Sequence, residues 1–123
     1  IGTLIKKIDS IEELLNPDSI KKVVVNDKFE ALYFSRSPIP FVQGVKQKDW
    51  LEHQTFYKHI GIYAFRAEIL NDLVNLPVSK LENAESLEQL RWLENGYTIQ
   101  AAITDHESPS IDTPADLERL LQR

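Results

Sequence analysis

Apolar residues recur along this chain at spacings of two in some stretches and of three or four in others. These are the periods of strands and of helices. Residues 3–8 read as a strand, with Leu4 and Ile8 on one face. Asp9-Ser10-Ile11-Glu12-Glu13 then reads as a helix start, with Ser10 as N-cap and Glu13 completing a capping box. Ile11, Leu14 and Leu15 give that helix an apolar face, and Pro17 stops it. Val23-Val24-Val25 is a β-branched run, as in a strand covered on both faces. After a turn at Asn26-Asp27-Lys28, residues 30–35 read as a second strand, so the two predict a hairpin. Residues 37–57, with Pro38, Pro40 and Gly44, read as irregular apart from a short helix at 48–52.

The stretch 58–65 has a strand's period. Ile60, Ile62 and Ala64 point to one face, and His59, Gly61, Tyr63 and Phe65 to the other. The second face sets an imidazole and a phenol on either side of a glycine that could admit a ligand close to the backbone. A half-buried strand with a satisfied histidine fits the same pattern. A helix follows over 67–73, with Ile69, Leu70 and Leu73 inward, until Leu76-Pro77 breaks it. Ser79-Lys80-Leu81-Glu82 is a second capping box and predicts one helix running to Glu94, closed by Asn95-Gly96. Ala84, Leu87, Leu90 and Leu93 form its apolar stripe. Glu85, Glu88, Gln89 and Trp92 form another stripe, either plain solvent surface or a partly covered face, as the indole suggests. Residues 97–103 alternate weakly as a strand, and 104–110 are polar. Thr113 then caps a final helix, with Pro114 at its first position, Asp116 as partner, and Leu117, Leu120 and Leu121 inward. Alternation of strands and helices around a hairpin predicts an α/β sandwich with a mixed sheet.

The 123 residues suffice for one domain and one core. Apolar content of 42% and charge of 27% are ordinary for a globular chain. The net charge of −5, with scattered Lys and Arg, argues against a nucleic-acid surface or a membrane-binding face. No apolar run nears the ~20 residues of a transmembrane helix, and no signal peptide is recognisable. The absence of cysteine excludes disulfides and thiolate metal sites and is compatible with a reducing cytoplasm. The chain opens at Ile1 inside an apolar segment and contains no Met, as a cut edge of a longer protein would, though trimming would look the same.

The candidate chemistry is spread along the chain. Arg36 ends a strand before a loop, where it is placed to reach an anion. The 37–57 loop carries Phe41, Trp50, Phe56 and Tyr57, which suits a second subunit, a substrate-covering arm or an ordinary surface loop. Because Thr113 can cap the last helix, the Asp112 carboxylate is open to two readings: a ligand for a hard cation such as Mg²⁺, or a turn aspartate. Four scattered glycines build no phosphate-cradling loop, and no trustworthy Ser/His/Asp order or His-rich metal motif occurs.

Several segments occur in a telling order: Asn16-Pro17 with Lys22-Val23-Val24; Ala31-Leu32-Tyr33-Phe34-Ser35-Arg36-Ser37-Pro38-Ile39-Pro40; Lys58-His59-Ile60-Gly61-Ile62-Tyr63-Ala64-Phe65-Arg66; Leu87-Glu88-Gln89-Leu90-Arg91; and Asp112-Thr113-Pro114-Ala115-Asp116-Leu117. Together they closely resemble the C-terminal half of the 3-deoxy-manno-octulosonate (Kdo) cytidylyltransferases, over essentially all 123 residues. The resemblance implies a nucleotide-diphospho-sugar transferase fold that dimerises, with residues 1–123 as a single C-terminal, sugar-acid-binding and dimerisation portion. It implies a reaction in which the anomeric hydroxyl of Kdo attacks the α-phosphate of CTP, giving CMP-Kdo and pyrophosphate, with Mg²⁺ required. By position, Arg36, His59, Tyr63, Glu88 and Gln89 are expected to bind the sugar acid. Asp112 is expected to be catalytic by binding Mg²⁺ with an aspartate from the other half. The chemistry suits them: a guanidinium can grip a carboxylate, and the other four offer mixed donors and acceptors to a polyol.

The family's Arg-x-x-Ser-x-Arg-Leu-Pro-x-Lys segment, which binds phosphate, and its Gln-Gly-Asp-Glu-Pro stretch are absent from these 123 residues. The expectation is that this chain alone does not make CMP-Kdo. A non-catalytic sugar-acid-binding or dimerisation module is the alternative. A sialic-acid cytidylyltransferase ranks below both.

Overall fold

The computed structural model describes residues 1–107 and 111–122. Residues 108–110 of the polar stretch, and Arg123, lie outside that description. In chain order the elements are β1 (Gly2–Lys7), α1 (Ile11–Leu15), β2 (Lys22–Val25), β3 (Ala31–Ser35), a 3₁₀ turn leading into α2 (Trp50–His53), β4 (Tyr57–Ala64), α3 (Ala67–Val74), α4 (Lys80–Glu85), α5 (Gln89–Glu94), β5 (Gln100–Ile103) and α6 (Pro114–Leu121). Among the described residues the strands form one mixed sheet of order β3-β2-β4-β1-β5. Only β1 and β5 run parallel; the β2–β3 hairpin and the β4 pairings are antiparallel. The expected α/β class and mixed sheet are what the chain adopts.

The long central strand β4 is not regular. The one residue of β1 between Thr3 and Ile5 stands opposite three of β4, those between His59 and Tyr63. The bulge centres on Gly61, whose φ of +83° is a conformation L side chains resist. An added Cβ there would meet nothing within 4 Å, so the backbone turn, not close approach, requires glycine. Two extra residues preserve the alternation, so His59 and Tyr63 stay on the face of Thr3 and Ile5. That is the core face: Ile5 is fully buried, as are Phe34, Leu90 and Ile99. Each such side chain contributes roughly 2 kcal/mol through burial. The apolar-looking positions face the other way, and Ile62 is 59% exposed. On β1, likewise, Thr3 and Ile5 are buried, and Leu4 is only partly so.

The 37–57 loop folds over its own chain. Trp50 and Phe56 stack at 6.0 Å and join Ile8 and Leu14 in a second small core. The Trp50 indole N–H donates to the Val45 carbonyl at 3.0 Å. Phe41 stays largely exposed. Ser10 caps α1 as expected, but the Glu13 carboxylate does not close the box. It pairs instead with the buried Lys58 ammonium at 2.5 Å, which also meets Glu107 at 2.6 Å.

The single helix expected over 79–94 is two helices. Ser86 adopts a left-handed conformation, φ 55°, between α4 and α5. The capping box at Ser79 and Glu82 forms as expected, and Glu82 additionally grips Arg91 through two contacts of 2.7 and 2.5 Å. The break lets Leu87 and Leu90 enter the core while Ala84 is exposed. It also turns Glu85 away from Gln89 and Trp92, towards the backbone N–H of Arg36 at 3.0 Å. In α3 only Leu73 is buried; Ile69, four residues back, is half-buried, and Leu70 is exposed because this marginal helix covers one narrow stripe. The capping box of α6 forms at Thr113 and Asp116, yet Leu117 and Leu121 are exposed. Its expected buried face has no cover among the described residues.

Candidate functional site

The bulged middle of β4 lines a cleft of about 360 Å³. β4 supplies His59, Ile60, Gly61 and Tyr63. The segment before β2 supplies Ser19, Ile20 and Lys21, and the start of α5 supplies Leu87, Glu88 and Gln89. Glu107 completes the rim. Four of the six residues singled out in the sequence therefore meet: His59, Tyr63, Glu88 and Gln89.

The hydrogen-bond order around His59 assigns its tautomer. Thr3 Oγ1 donates its single proton to the Ile62 carbonyl at 2.8 Å. The same oxygen lies 2.7 Å from His59 Nε2, so it must accept there, and Nε2 carries the hydrogen. Nδ1 is then an acceptor. Burial, with the charge of Lys21 adding to it, pushes His59 down to about 4, so the ring is neutral at pH 7. Phe34 packs edge-on against the ring at 4.9 Å and fixes its plane. Burial, and then the negative charge of Glu88, raise the Tyr63 phenol above its ordinary value, so it keeps its proton as a donor. Its ring meets Trp92 edge-on at 4.9 Å. This explains the indole in a polar stripe: Trp92 is buried beneath the site, and Gln89, beside it in the cleft wall, is 4% exposed.

A stability consequence follows from His59. Its folded-state value lies below the ~6.5 of an unfolded histidine. As pH falls from about 6.5 towards 4 the unfolded chain takes up a proton that the native ring refuses, so stability drops in that window. Urea unfolding at pH 7 and pH 5 should show His59→Gln losing less stability than the parent, by on the order of 1–2 kcal/mol. Equal losses would mean that the ring is not held neutral.

Arg36 and Asp112 do not line the cleft. The Arg36 guanidinium donates to backbone carbonyls of Glu85 at 2.6 Å, Pro17 and Asp18 at 3.0 Å each, and Ser86 at 3.2 Å. It ties the loop after α1 to the α4–α5 joint, and both segments lead directly into cleft walls. Asp112 is exposed just before α6, and its backbone N–H donates to the Asp116 carboxylate at 3.2 Å. Among the described residues no group of three His, Cys, Asp or Glu side chains could hold a metal. Asp112 thus offers one hard oxygen donor and not a complete site.

Sequence reasoning missed Lys21 and Glu107. A signal for Lys21 existed in the paired lysines before a β-branched run, since alternation turns one of them away from the other. Lys22 is the inward member. Nothing in the sequence tied Glu107 to Lys58, because 49 residues separate them.

The sheet, its flanking helices and a polar cleft against the bulged central strand place the chain in the nucleotide-sugar transferase class of α/β protein. The chain matches the cytidylyltransferase family over residues 1–101, and it belongs to that family. A 3-deoxy-manno-octulosonate cytidylyltransferase of Parabacteroides distasonis is 54% identical over 125 residues, covering 98% of this chain and 49% of the relative. One from Thermodesulfovibrio yellowstonii is 51% identical, covering 96% and 46%. A solved CMP:2-keto-3-deoxy-manno-octonic acid synthetase complexed with CTP superposes with a TM-score of 0.82 at 44% identity, over 97% of this chain and 46% of that one. The chain thus spans about half the length of the curated relatives it matches. No described helix is long and apolar enough to cross a membrane.

Proposed function

We propose that this chain is the sugar-acid-binding portion of a cytidylyltransferase that joins CMP from CTP to Kdo and releases pyrophosphate. The observation that carries the reading is the convergence of His59, Tyr63, Glu88 and Gln89 on one cleft in a chain so similar to enzymes of that name. The groups suit a polyhydroxy acid. His59 Nδ1 and the Glu88 carboxylate accept from hydroxyls, the Tyr63 phenol donates, and the Gln89 amide does both. Their packing on Phe34 and Trp92 holds them in place before the sugar arrives, and positioning of this kind is a large part of such catalysis.

In the reaction the anomeric oxygen forms a bond to the α-phosphorus, the bond to the pyrophosphate oxygen breaks, and the hydroxyl proton is lost. The cleft's task is to aim that oxygen. The phosphate-binding Arg-x-x-Ser-x-Arg-Leu-Pro-x-Lys segment is absent from the 123 residues. We place the cradle for the triphosphate in the remainder of the full-length protein, over the bare sheet face at Leu4, Ile62, Ala64 and Ala102, and this chain alone then makes no CMP-Kdo. Asp112 would help to hold the implied Mg²⁺, together with an aspartate of the other half. When bound, such an ion would neutralise charge on the triphosphate. We further read the intact protein as a homodimer.

Gln89→Ala in the full-length protein tests the cleft. It should raise the KM for Kdo roughly tenfold, the scale of one or two lost hydrogen bonds, and leave the KM for CTP unchanged. An unchanged KM for Kdo would remove the sugar acid from this cleft.

A further inference from the structure

Within that reading, we infer that Lys21 is the cation that receives the carboxylate of the sugar acid. Among the described residues lining the cleft, Lys21 carries the one fixed positive charge, while Glu88 and Glu107 carry negative ones. A carboxylate entering between two acids needs a cation to offset them. The neighbouring cations are engaged elsewhere. Arg36 donates four of its five N–H groups to backbone carbonyls. Lys22 directs its ammonium to three carbonyls, and Lys58 is held between Glu13 and Glu107. No salt bridge among the described residues takes Lys21.

Lys21 is also well placed. Its carbonyl accepts the backbone N–H of His59 at 2.8 Å, which fixes it across from the central strand. The side chain is half-buried, so its charge is only partly screened. It acts on the His59 ring strongly enough to oppose that ring's protonation. An acid that met Lys21 would therefore set its neighbouring hydroxyls against His59 Nδ1 and the Tyr63 phenol. Lys21 is a specificity residue on this view: it selects sugar acids over neutral sugars and takes no part in the bond changes.

The test uses the full-length protein with Kdo varied at saturating CTP and Mg²⁺. Lys21→Gln should raise the KM for Kdo about tenfold or more, with kcat and the KM for CTP near parental values. Lys21→Arg should restore the KM to within a few-fold. The parent should prefer Kdo over its carboxamide as a competitor, and the Gln variant should lose that preference. Lys21→Ser carries the same comparison if the Gln variant fails to fold. A KM for Kdo within twofold of the parent in a folded neutral variant overturns the inference. A parent protein that releases no pyrophosphate with Kdo overturns the underlying reading instead, so the two failures are distinguishable.

Discussion

Lys22→Met should lower the unfolding free energy by about 3 kcal/mol, the largest single effect expected on this fold. Lys22 is fully buried, and its ammonium donates to the carbonyls of Asn16, Ile20 and Arg36 at 2.6, 2.8 and 2.7 Å. Methionine reproduces the apolar stem and removes all three donors. Each buried carbonyl left without a partner costs about 1–3 kcal/mol. Part of that cost is offset, because burying the charge is itself unfavourable. Desolvation first, then the Arg36 charge, push Lys22 down to about 8, against a smaller upward pull from Glu85. At pH 7 the group is still mostly charged and makes its three bonds. Urea unfolding at pH 7 measures the difference. A loss below about 1 kcal/mol would mean that the 16–20 loop finds other donors, and that Lys22 is not its anchor.

Arg36→Ala should cost about 2 kcal/mol of stability and also weaken sugar-acid binding, because this side chain clamps two walls of the cleft together. Its four carbonyl acceptors belong to the loop after α1 and to the α4–α5 joint. The first leads into Ser19 and Lys21, the second into Leu87, Glu88 and Gln89. Arg36→Lys separates a clamp from a charge. Lysine keeps the charge but lacks the planar fork. If Arg36 acts by positioning, the Lys variant should be nearly as destabilised as the Ala variant and show a similar rise in the KM for Kdo. If Arg36 meets the carboxylate directly, Lys should restore binding. Melting curves and the KM for Kdo, taken together, decide between the two.

Local signals in the sequence carried far. Ser10, Ser79 and Thr113 cap their helices as their side chains imply, and the Asn26 turn closes the hairpin. The cleft was legible where alternation held: His59 and Tyr63 do share a face. That agreement depends on a bulge of two extra residues at Gly61, since one extra residue would have sent them to opposite faces. What escaped the sequence is set by tertiary contact. The break at Ser86 lies inside a run with good helical spacing, and packing of Leu87 and Leu90, with the Arg36 clamp, overrides that spacing. Arg36 stands at the end of a strand, as an anion ligand would, but its engagement with four carbonyls depends on segments distant in sequence. Leu117 and Leu121 carry the pattern of a buried stripe, and what would cover them is not among the described residues.

We propose that this chain supplies the sugar-acid site of a Kdo cytidylyltransferase. Pyrophosphate release by the full-length protein tests it most directly, with CTP and Mg²⁺ present and Kdo or a sialic acid as acceptor. Release should depend on Kdo and be far weaker with the sialic acid. Release with neither acid would contradict it and leave a binding module without this chemistry.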